Sequence, residues 1–415
     1  MHRRQILRAA LALTGAPALA RVAGRPDLPP LRALTRGPRH HWFGYYDKLQ
    51  FDPSGRLALG MQVAFEHRSP RPEDELGIGM VDLEDGDRWI PLGRSRAWGW
   101  QQGCMLQWVP GSSDTVLWND REGERYVARV CKVESGETHT LDHAVYALAP
   151  DGVRAVTADF ARIQRLRPGY GYAGLADAHA EEAAPESSGV FLLDLQSGRR
   201  ELVISLAQLA AHEPRADMAD ATHYVNHLLW SPSGQRFVFL HRWRPDGGRA
   251  GFRTRMYTLG ANGEDLHLLD SSGHTSHFIW RDEEHVAAWS RPADRAWGFY
   301  VFRDRTSEIE PLGAAALRQD GHLSYLPGGE WLLSDTYPQG EARLQTPYLF
   351  HLAEERRVPL GHFASPPAFR GEWRCDTHPR FAPDGRSVVI DTPWEGQGRQ
   401  MVRIDLEPVL DSAGD

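Results

Sequence analysis

The sequence reads Leu229-Trp230-Ser231-Pro232-Ser233-Gly234 and continues, after Gln235, with Arg236-Phe237-Val238-Phe239-Leu240. An apolar strand, a Pro-x-Gly turn and a second apolar strand are the pattern of an antiparallel hairpin. A second copy reads Arg380-Phe381-Ala382-Pro383-Asp384-Gly385 and then Ser387-Val388-Val389-Ile390. Five further copies occupy residues 49–61, 105–118, 145–157, 278–289 and 323–333. Units that recur in this way indicate a repeat architecture.

A second hairpin pattern, such as residues 190–198, follows nearly every unit. Two hairpins give four antiparallel strands, which is one propeller blade. The seven units therefore predict an all-β chain that forms a seven-bladed β-propeller with four antiparallel strands per blade. A β-sandwich is the alternative, but two packed sheets have no natural place for seven similar units. We expect the segment from Leu34 to Trp42 to close the ring by pairing with the C-terminal blade.

Composition restricts the partners of this chain. The 415 residues are 41% hydrophobic and 25% charged, which is typical of a soluble globular protein. The 47 basic and 55 acidic residues give a formal charge of −8, so we expect no nucleic-acid partner. Three cysteines cannot support a disulfide framework. We expect a monomer.

The N-terminus has the features of an export signal. Residues 1–20 contain the pair Arg3-Arg4, then a short apolar stretch, then Ala18-Leu19-Ala20, and they resemble a twin-arginine signal peptide. The alternative is a weakly amphipathic helix of the mature protein. No later stretch has the 18 or so apolar residues of a membrane span. We therefore expect a periplasmic or secreted protein in which residues 21–415 form one propeller, with an insertion at about 161–188 over one face.

Propeller geometry places certain sequence positions at one rim of the channel. Residues just before the inner strand and just after the second strand of a blade lie at the same face. These positions are strongly polar here, whereas the opposite ends of the hairpins carry only turn residues. A single histidine at such a position is more often structural than functional. Six on one rim favour a functional site: His223, His227, His241, His277, His322 and His378.

A metal site is one interpretation of this rim. His277, His322, Cys375 and His378 come from the last three blades, and Cys-x-x-His is a usable ligand spacing. A thiolate with imidazoles favours zinc, while manganese prefers more oxygen donors and calcium is a further alternative. Four protein ligands would leave no open position, so the expected role is structural. Alternatively, Cys375 is a buried thiol and His378 forms hydrogen bonds at a strand start.

Proton chemistry next to a carboxylate is the second interpretation. Abstraction of a proton alpha to a carboxylate requires neutralisation of its charge, stabilisation of the enolate and a base beside the carbon. The predicted catalytic residues are Tyr146, Arg162, His223 and His241. The predicted substrate-binding residues are Gln102, Asn119, Arg121, Tyr172, His227 and Arg242. For Tyr146, simple packing is the alternative.

Several stretches, taken together, resemble a known family. They are residues 41–48, 101–108, 159–162, 167–172, 276–278, 320–322 and 376–379. From about His41 to the end, the chain resembles the seven-bladed propeller polysaccharide lyases, which include oligogalacturonate, ulvan and rhamnose–glucuronate lyases. The resemblance implies β-elimination of a uronic-acid glycoside, with Tyr146 exchanging the proton and Arg162 neutralising the uronate carboxylate.

The chain departs from this family at two places. Relatives have histidines on the blade before Tyr146, where this chain has Gln102 and Asn119, so His223 or His241 would have to substitute. Oligogalacturonate lyase binds its metal with a histidine and a Gln-x-x-His-x-His run. The corresponding run here is Cys375-x-x-His378-x-Arg380, so the resemblance implies zinc with His322 completing the ligands.

The leading hypothesis is therefore an exported lyase that acts on anionic, uronate-containing oligo- or polysaccharides. The aromatic residues expected to stack on its sugar rings are Trp42, Tyr45, Trp100 and Tyr172. A catalytically silent propeller that binds glycans or a protein partner is the second hypothesis. Glycoside hydrolysis is the third, and it would require two carboxylates such as Asp120 and Asp159.

Overall fold

Seven four-stranded antiparallel sheets are present in the computed structural model, which describes residues 28–245 and 251–411. They confirm the predicted seven-bladed propeller with four strands per blade. The signal peptide predicted for residues 1–20 lies outside the described residues and stays a prediction. No helix in the described part of the chain is long and apolar enough to cross a membrane.

The ring closes through the N-terminal strand β1 (Leu31–Ala33), which is the outer strand of the last blade. It pairs antiparallel with β30 (Arg399–Asp405), so the two ends of the chain share one sheet. The closing segment was expected at residues 34–42 and lies slightly earlier. Residues 40–42 instead pair with β3 of the first blade.

The strands follow the chain from blade to blade, each blade beginning with its inner strand. Blade 1 contains β2 (His40–Trp42), β3 (Leu57–Val63), β4 (Leu76–Asp82) and β5 (Arg88–Ser95). Blade 2 contains β6 (Gln107–Trp108), β7 (Thr115–Glu122), β8 (Arg125–Lys132) and β9 (Thr138–Leu141). Blade 3 contains β10 (Ala147–Leu148), β11 (Arg154–Thr157), β12 (Gly189–Asp194) and β13 (Arg200–Ser205).

Blade 4 contains β14 (Thr222–Trp230), β15 (Arg236–Arg244), β16 (Arg253–Gly260) and β17 (His267–Gly273). Blade 5 contains β18 (Phe278–Trp280), β19 (His285–Ser290), β20 (Gly298–Arg303) and β21 (Ile309–Leu312). Blade 6 contains β22 (Leu323–Tyr325), β23 (Trp331–Ser334), β25 (Tyr348–His351) and β26 (Arg356–Pro359). Blade 7 contains β28 (Arg380–Phe381), β29 (Ser387–Pro393), β30 and β1. A separate pair is formed by β24 (Leu344–Gln345) and β27 (Phe363–Ala364). The helices are α1 (Phe160–Leu166), α2 (Leu206–Ala211) and α3 (Glu407–Asp411), with 3₁₀ turns at Ala216–Met218 and Gly371–Trp373.

The Pro-x-Gly turns of the sequence units join the inner strand of a blade to the second strand. Gly234 and Gly385 have φ angles of 68° and 69°, a conformation that glycine adopts without a steric cost. Their amides donate hydrogen bonds to the carbonyls of Ser231 and Ala382. Between blades, apolar side chains pack face to face, as where Phe237 and Trp230 of blade 4 join a core with blade 3.

The inner strand of blade 1 is interrupted, and this places side chains in the channel. β3 pairs with β2 near one end and with Phe51 near the other, through a bridge at Ala58. The residues between leave the ladder, beginning at Gly44 with a φ of 107°. Tyr45 and Tyr46 lie on this interruption and are buried.

The segment between β11 and β12 covers part of one face, where the insertion is expected. Asp159 caps α1 by accepting hydrogen bonds from the amides of Ala161 and Arg162. The segment then packs closely on blade 2, because the amide of Gln101 donates to the carbonyl of Gly169 at 3.0 Å. This contact holds residues 167–172 at the mouth of the channel.

Candidate functional site

Three of the predicted metal-binding histidines meet in the channel. His277, His322 and His378 precede the inner strands of blades 5, 6 and 7. The ring centroid of His322 lies 4.2 Å from that of His277 and 4.2 Å from that of His378. The Nε2 atoms of His322 and His378 are buried and have no hydrogen-bond partner among the described residues. Such orphaned nitrogen atoms are suited to a metal ion.

Carboxylates orient two of these imidazoles. Nδ1 of His277 lies 2.9 Å from Asp320 Oδ1, and Nδ1 of His322 lies 3.0 Å from Asp335 Oδ1. Asp335 is held in turn by a hydrogen bond from the Thr377 hydroxyl. A carboxylate at Nδ1 favours the tautomer that leaves Nε2 with a free lone pair, as in many metal sites.

The donor group that could hold a metal ion contains Asp376 with two of these histidines. The ligand atoms of His322, His378 and Asp376 lie within 4.8 Å of one another, and neither His277 nor the Cys375 sulfur belongs to this group. The ring nitrogens of His277 instead face Asp320 and the Tyr337 hydroxyl. Burial raises the pKa of the Cys375 thiol. The geometry therefore favours Asp376 over the predicted thiolate of Cys375 as a ligand. The neighbouring side chain supplies a carboxylate because consecutive residues point in different directions.

Burial also lowers the pKa of His378 well below its usual value, with His322 adding to the effect. His378 is therefore neutral near pH 7, as a metal ligand must be. Two imidazoles and one carboxylate fit a divalent transition-metal ion with an open coordination position. They do not fit calcium, which takes six to eight oxygen ligands.

A fourth histidine and a tyrosine extend this cluster. The ring of Tyr45 stacks on His227 at 4.9 Å and meets His378 edge-on at 5.1 Å. His227 and His378 have φ angles of 52° and 39°, in the left-handed region that costs free energy for a residue with a side chain. Strained backbone at two channel-facing histidines is typical of a functional site.

A cavity of 360 Å³ opens beside the histidine cluster. Its lining includes Arg167, Arg242, Phe252, Tyr170 and His277. The guanidinium groups of Arg167 and Arg242 lie 4.5 Å and 4.8 Å from the ring centroid of Phe252. Within residues 28–245 and 251–411, neither guanidinium has a hydrogen bond or an ion pair. Two unpaired guanidinium groups that face one cavity are suited to bind an anion.

Tyr170 connects this cavity to the histidine cluster. Nη2 of Arg374 donates a hydrogen bond of 2.6 Å to the Tyr170 hydroxyl, and Nε of Arg374 donates one of 2.6 Å to Asp376. Burial by itself raises the pKa of Tyr170, but the charges of Arg374 and Arg167 outweigh it and lower this pKa to about 8. A phenol with such a pKa is a usable general base.

Arg162, a predicted catalytic residue, is engaged in hydrogen bonds within the protein. Its guanidinium is buried, with a side-chain exposure of 1%, and all five of its N–H groups are engaged. Their acceptors are the carbonyls of His223, His179, Glu182 and Ala183 and the carboxylate of Asp177. No donor is left for a substrate carboxylate, so Arg162 holds the loop after α1 in place.

His223 and His241 form a separate pair inside blade 4. Their Nδ1 and Nε2 atoms are 2.8 Å apart, and Arg255 lies against the other side of His241. Burial lowers the pKa of His223 to about 4 and that of His241 well below its usual value. Neither residue lines the cavity beside the histidine cluster. The structure therefore does not bring these two predicted catalytic residues to that cavity.

Tyr146 is buried, and both sides of its hydroxyl are occupied. It donates to Gln102 Oε1 at 2.9 Å and accepts from the amide of His227 at 2.7 Å. Burial raises the pKa of Tyr146, which is unfavourable for a base. Its contacts fix the backbone of His227, and Nε2 of Gln102 approaches the His227 ring at 3.4 Å. The packing interpretation of Tyr146 fits these contacts better than a catalytic role.

The other predicted substrate-binding residues divide into two groups. His227 and Arg242 line the cavity, as expected. The amide of Asn119 bonds the backbone of Val145 and the hydroxyl of Tyr172, so both residues are structural. Arg121 donates to the carbonyl of Pro72, away from the cavity. The two carboxylates considered for hydrolysis are also engaged: Asp120 pairs with Arg129, and Asp159 caps α1.

The aromatic residues expected to stack on sugars are buried. Trp42, Tyr45, Trp100 and Tyr172 expose 1–2% of their surface, so no sugar ring reaches them. Trp297 instead lines the cavity and is 48% exposed. Sequence reasoning also missed Arg374 and Asp376. Their signal was the acidic and basic side chains on either side of Cys375, in the same short stretch as His378.

No protein-family model and no curated protein matches this sequence. Among solved structures, an oligogalacturonate lyase in complex with manganese aligns with a TM-score of 0.66 and 14% identity, over 92% of this chain and 94% of that chain. An oligogalacturonate lyase from Vibrio parahaemolyticus aligns with a TM-score of 0.64 and 14% identity, over 91% of this chain and 94% of that chain. A puromycin-hydrolyzing peptidase from Mycobacterium tuberculosis aligns with a TM-score of 0.54 and 14% identity, over 88% of this chain and 53% of that chain.

These matches define the class of protein as a seven-bladed β-propeller whose fold is similar to that of oligogalacturonate lyase. At 14% identity the likeness shows the fold alone, and the same fold is present in a peptidase. The resemblance to ulvan and rhamnose–glucuronate lyases stays a prediction. Function has to be argued from the cavity.

Proposed function

We propose that this chain is a lyase that cleaves uronic-acid-containing oligosaccharides by β-elimination, in the cavity beside the histidine cluster. The observation that carries this proposal is the pair of unpaired guanidinium groups, Arg167 and Arg242, which line the same cavity as Tyr170. The fold shared with two oligogalacturonate lyases supports the choice of reaction.

Each step of an elimination has a candidate group in this cavity. Arg167 and Arg242 bind the uronate carboxylate and neutralise its charge, which acidifies the neighbouring C–H bond. The Tyr170 phenolate takes this proton. The carbon–carbon double bond forms as the bond from the β carbon to the glycosidic oxygen breaks. The leaving oxygen then receives the proton from Tyr170, so atoms and charges balance without a second acid.

A divalent metal ion belongs to the same proposal. His322, His378 and Asp376 would hold it, because their ligand atoms lie within 4.8 Å of one another and include two orphaned Nε2 atoms. When bound, such an ion supplies fixed positive charge that stabilises a developing enolate. Without a thiolate ligand the preference for zinc over manganese has no basis, and both ions fit nitrogen and oxygen donors.

Export and a monomeric state complete the proposal. The paired arginines and the small-residue end of residues 1–20 support delivery to the periplasm or beyond the cell. An anionic polysaccharide found there is a suitable substrate for a site built around two guanidinium groups.

Elimination can be tested directly, because its unsaturated product absorbs near about 235 nm when the uronate carboxyl conjugates with the new double bond. The purified protein is incubated with galacturonate- and glucuronate-containing oligosaccharides, with and without added zinc or manganese. We expect an absorbance rise that is lost in Tyr170→Phe and strongly reduced in Arg242→Ala. Arg356→Ala, on the outer edge of blade 6, is the matched control for loss of an arginine.

Two results would contradict the lyase proposal. New reducing ends without the chromophore indicate hydrolysis. Tight binding of the oligosaccharides without any cleavage indicates a catalytically silent binding module.

A further inference from the structure

Trp297 is an anomaly on the surface of this protein. It is 48% exposed, and the other large hydrophobic residues with comparable exposure in the described part of the chain are the leucines Leu28, Leu31 and Leu49. Covering an exposed indole with a ligand removes a large apolar surface from water, which is favourable. Trp297 lines the cavity that contains Arg167 and Arg242.

The Trp297 ring is fixed in place before any ligand binds. It lies nearly parallel to Trp289, with ring centroids 6.2 Å apart and an interplanar angle of 19°. The ring of His274 approaches it at 5.2 Å. The preceding loop is held by a hydrogen bond of 2.7 Å from the Tyr300 hydroxyl to the carbonyl of Ala296. Ligand binding therefore requires little further ordering of the Trp297 side chain, so the loss of conformational entropy on binding is small.

The position of Trp297 is coupled to the histidine cluster through the backbone. The amide of Trp289 donates to the carbonyl of His277 at 2.9 Å, and the amide of Ser276 donates to the carbonyl of Trp289. Trp289 in turn packs on Trp297. The aromatic surface and His277, which packs against His322 of the histidine cluster, are thus parts of the same blade at one fixed separation.

We propose that Trp297 is a stacking platform for a second sugar ring, so that this site recognises at least a disaccharide. The carboxylate of one ring binds Arg167 and Arg242, and the apolar C–H face of its neighbour lies on the indole. This inference rests on the proposed function for the identity of the ligand. An indole face attracts C–H groups rather than carboxylates, since its own face is electron-rich. The second ring is therefore selected by shape and not by charge.

The test compares ligand lengths in the Tyr170→Phe background, which prevents turnover. Galacturonate, digalacturonate and trigalacturonate are titrated into the full chain by calorimetry. We expect Trp297→Ala to weaken binding of the di- and trisaccharide about tenfold and to leave binding of the monosaccharide unchanged. Trp297→Tyr, which keeps an aromatic face, should retain most of the affinity. Leu49→Ala, an equally exposed residue elsewhere, is the control and should change nothing.

The outcomes separate this inference from the proposed reaction. The platform is overturned if Trp297→Ala lowers the affinity equally for all three ligands, if it lowers the affinity for none of them, or if the parent protein binds none of them. A loss of affinity that is confined to the longer ligands supports the platform. This holds even if the protein with an intact Tyr170 gives no product that absorbs at about 235 nm, because that result would overturn only the elimination. Product formation without length-dependent loss leaves the lyase proposal standing alone. Melting temperatures of the variants confirm that each remains folded.

Discussion

Arg374 donates a hydrogen bond of 2.6 Å to the hydroxyl of Tyr170, although 204 residues separate them in the chain. The same guanidinium donates to Asp376, which belongs to the histidine cluster. One arginine therefore ties the loop after α1 to blade 7 and places positive charge on a phenol. This contact makes Tyr170 a candidate base, whereas the buried Tyr146, which has no cation hydrogen-bonded to its hydroxyl, has a raised pKa.

Activity should therefore depend on the ionisation of Tyr170. A base acts in its deprotonated form, so kcat/KM should rise with pH and level off above the Tyr170 pKa of about 8. Arg374→Met should move this inflection to higher pH, because the phenolate loses its charged donor. The measurement is the pH profile of product formation. A profile that is flat between pH 6 and 9, with unchanged inflection in the variant, would exclude Tyr170 as the base.

The two cavity arginines should affect substrate affinity without affecting stability. Arg167→Met and Arg242→Met each remove one charged donor to the carboxylate, which is worth about 1.5–3 kcal/mol. KM should rise roughly tenfold to a hundredfold in each variant, since 1.4 kcal/mol corresponds to about a factor of ten. Steady-state kinetics and thermal unfolding measured on the same samples test this. A lower melting temperature with unchanged KM would assign these arginines to the fold.

Arg162 should show the opposite behaviour. Arg162→Met removes five hydrogen bonds and leaves the buried Asp177 with only Arg165 as a cationic partner. Breaking one partner of a buried ion pair costs about 3–5 kcal/mol. The free energy of unfolding in urea should fall by about this amount, while KM measured on the folded protein changes little. A raised KM at unchanged stability would restore the catalytic role that the sequence resemblance implied.

The sequence predicts the propeller because each blade is a local pattern. A Pro-x-Gly turn such as Pro232-Ser233-Gly234 fixes one hairpin without reference to the rest of the chain, five of the seven units have such a turn, and the seven hairpins together define the ring. The starts of the inner strands follow from these turns. His277, His322 and His378 could therefore be placed at one rim and do meet there.

Which of the other side chains face the cavity depends on tertiary contacts, and the repeating hairpin pattern of the sequence does not indicate these contacts. Cys375 and Asp376 are adjacent, and only the backbone conformation decides which one faces His378. Arg162 lies on α1 and Arg167 ends it, so their exposure depends on how this short helix packs. Trp297 differs from the buried tryptophans only in its surroundings. Sequence patterns therefore locate the rim but not the side chains that face its cavity.

Metal binding should distinguish Asp376 from its neighbour. Asp376→Asn removes the carboxylate charge and His322→Ala removes an imidazole donor from the group, and each should lower the zinc or manganese content at least tenfold, since even indirect contacts to metal ligands are typically worth 10–100-fold. Cys375→Ser keeps all three donors and should retain the metal. Elemental analysis of the dialysed proteins measures this. Loss of metal in the Cys375 variant alone would show that the thiol, and not the carboxylate, is the ligand.

The close packing of Gly171 should control the position of Tyr170. A Cβ atom at this residue would lie 2.3 Å from both the Gln164 amide nitrogen and the Phe160 carbonyl oxygen, and these backbone atoms cannot move without shifting α1. We therefore expect Gly171→Ala to displace the loop, to lower kcat/KM and to move the pH inflection upward as Tyr170 leaves Arg374. Gly37→Ala is the control, because its Cβ meets nothing closer than 3.7 Å. If Gly171→Ala retained full activity and the original pH profile, the hydrogen bond between Arg374 and Tyr170 would not be needed for catalysis.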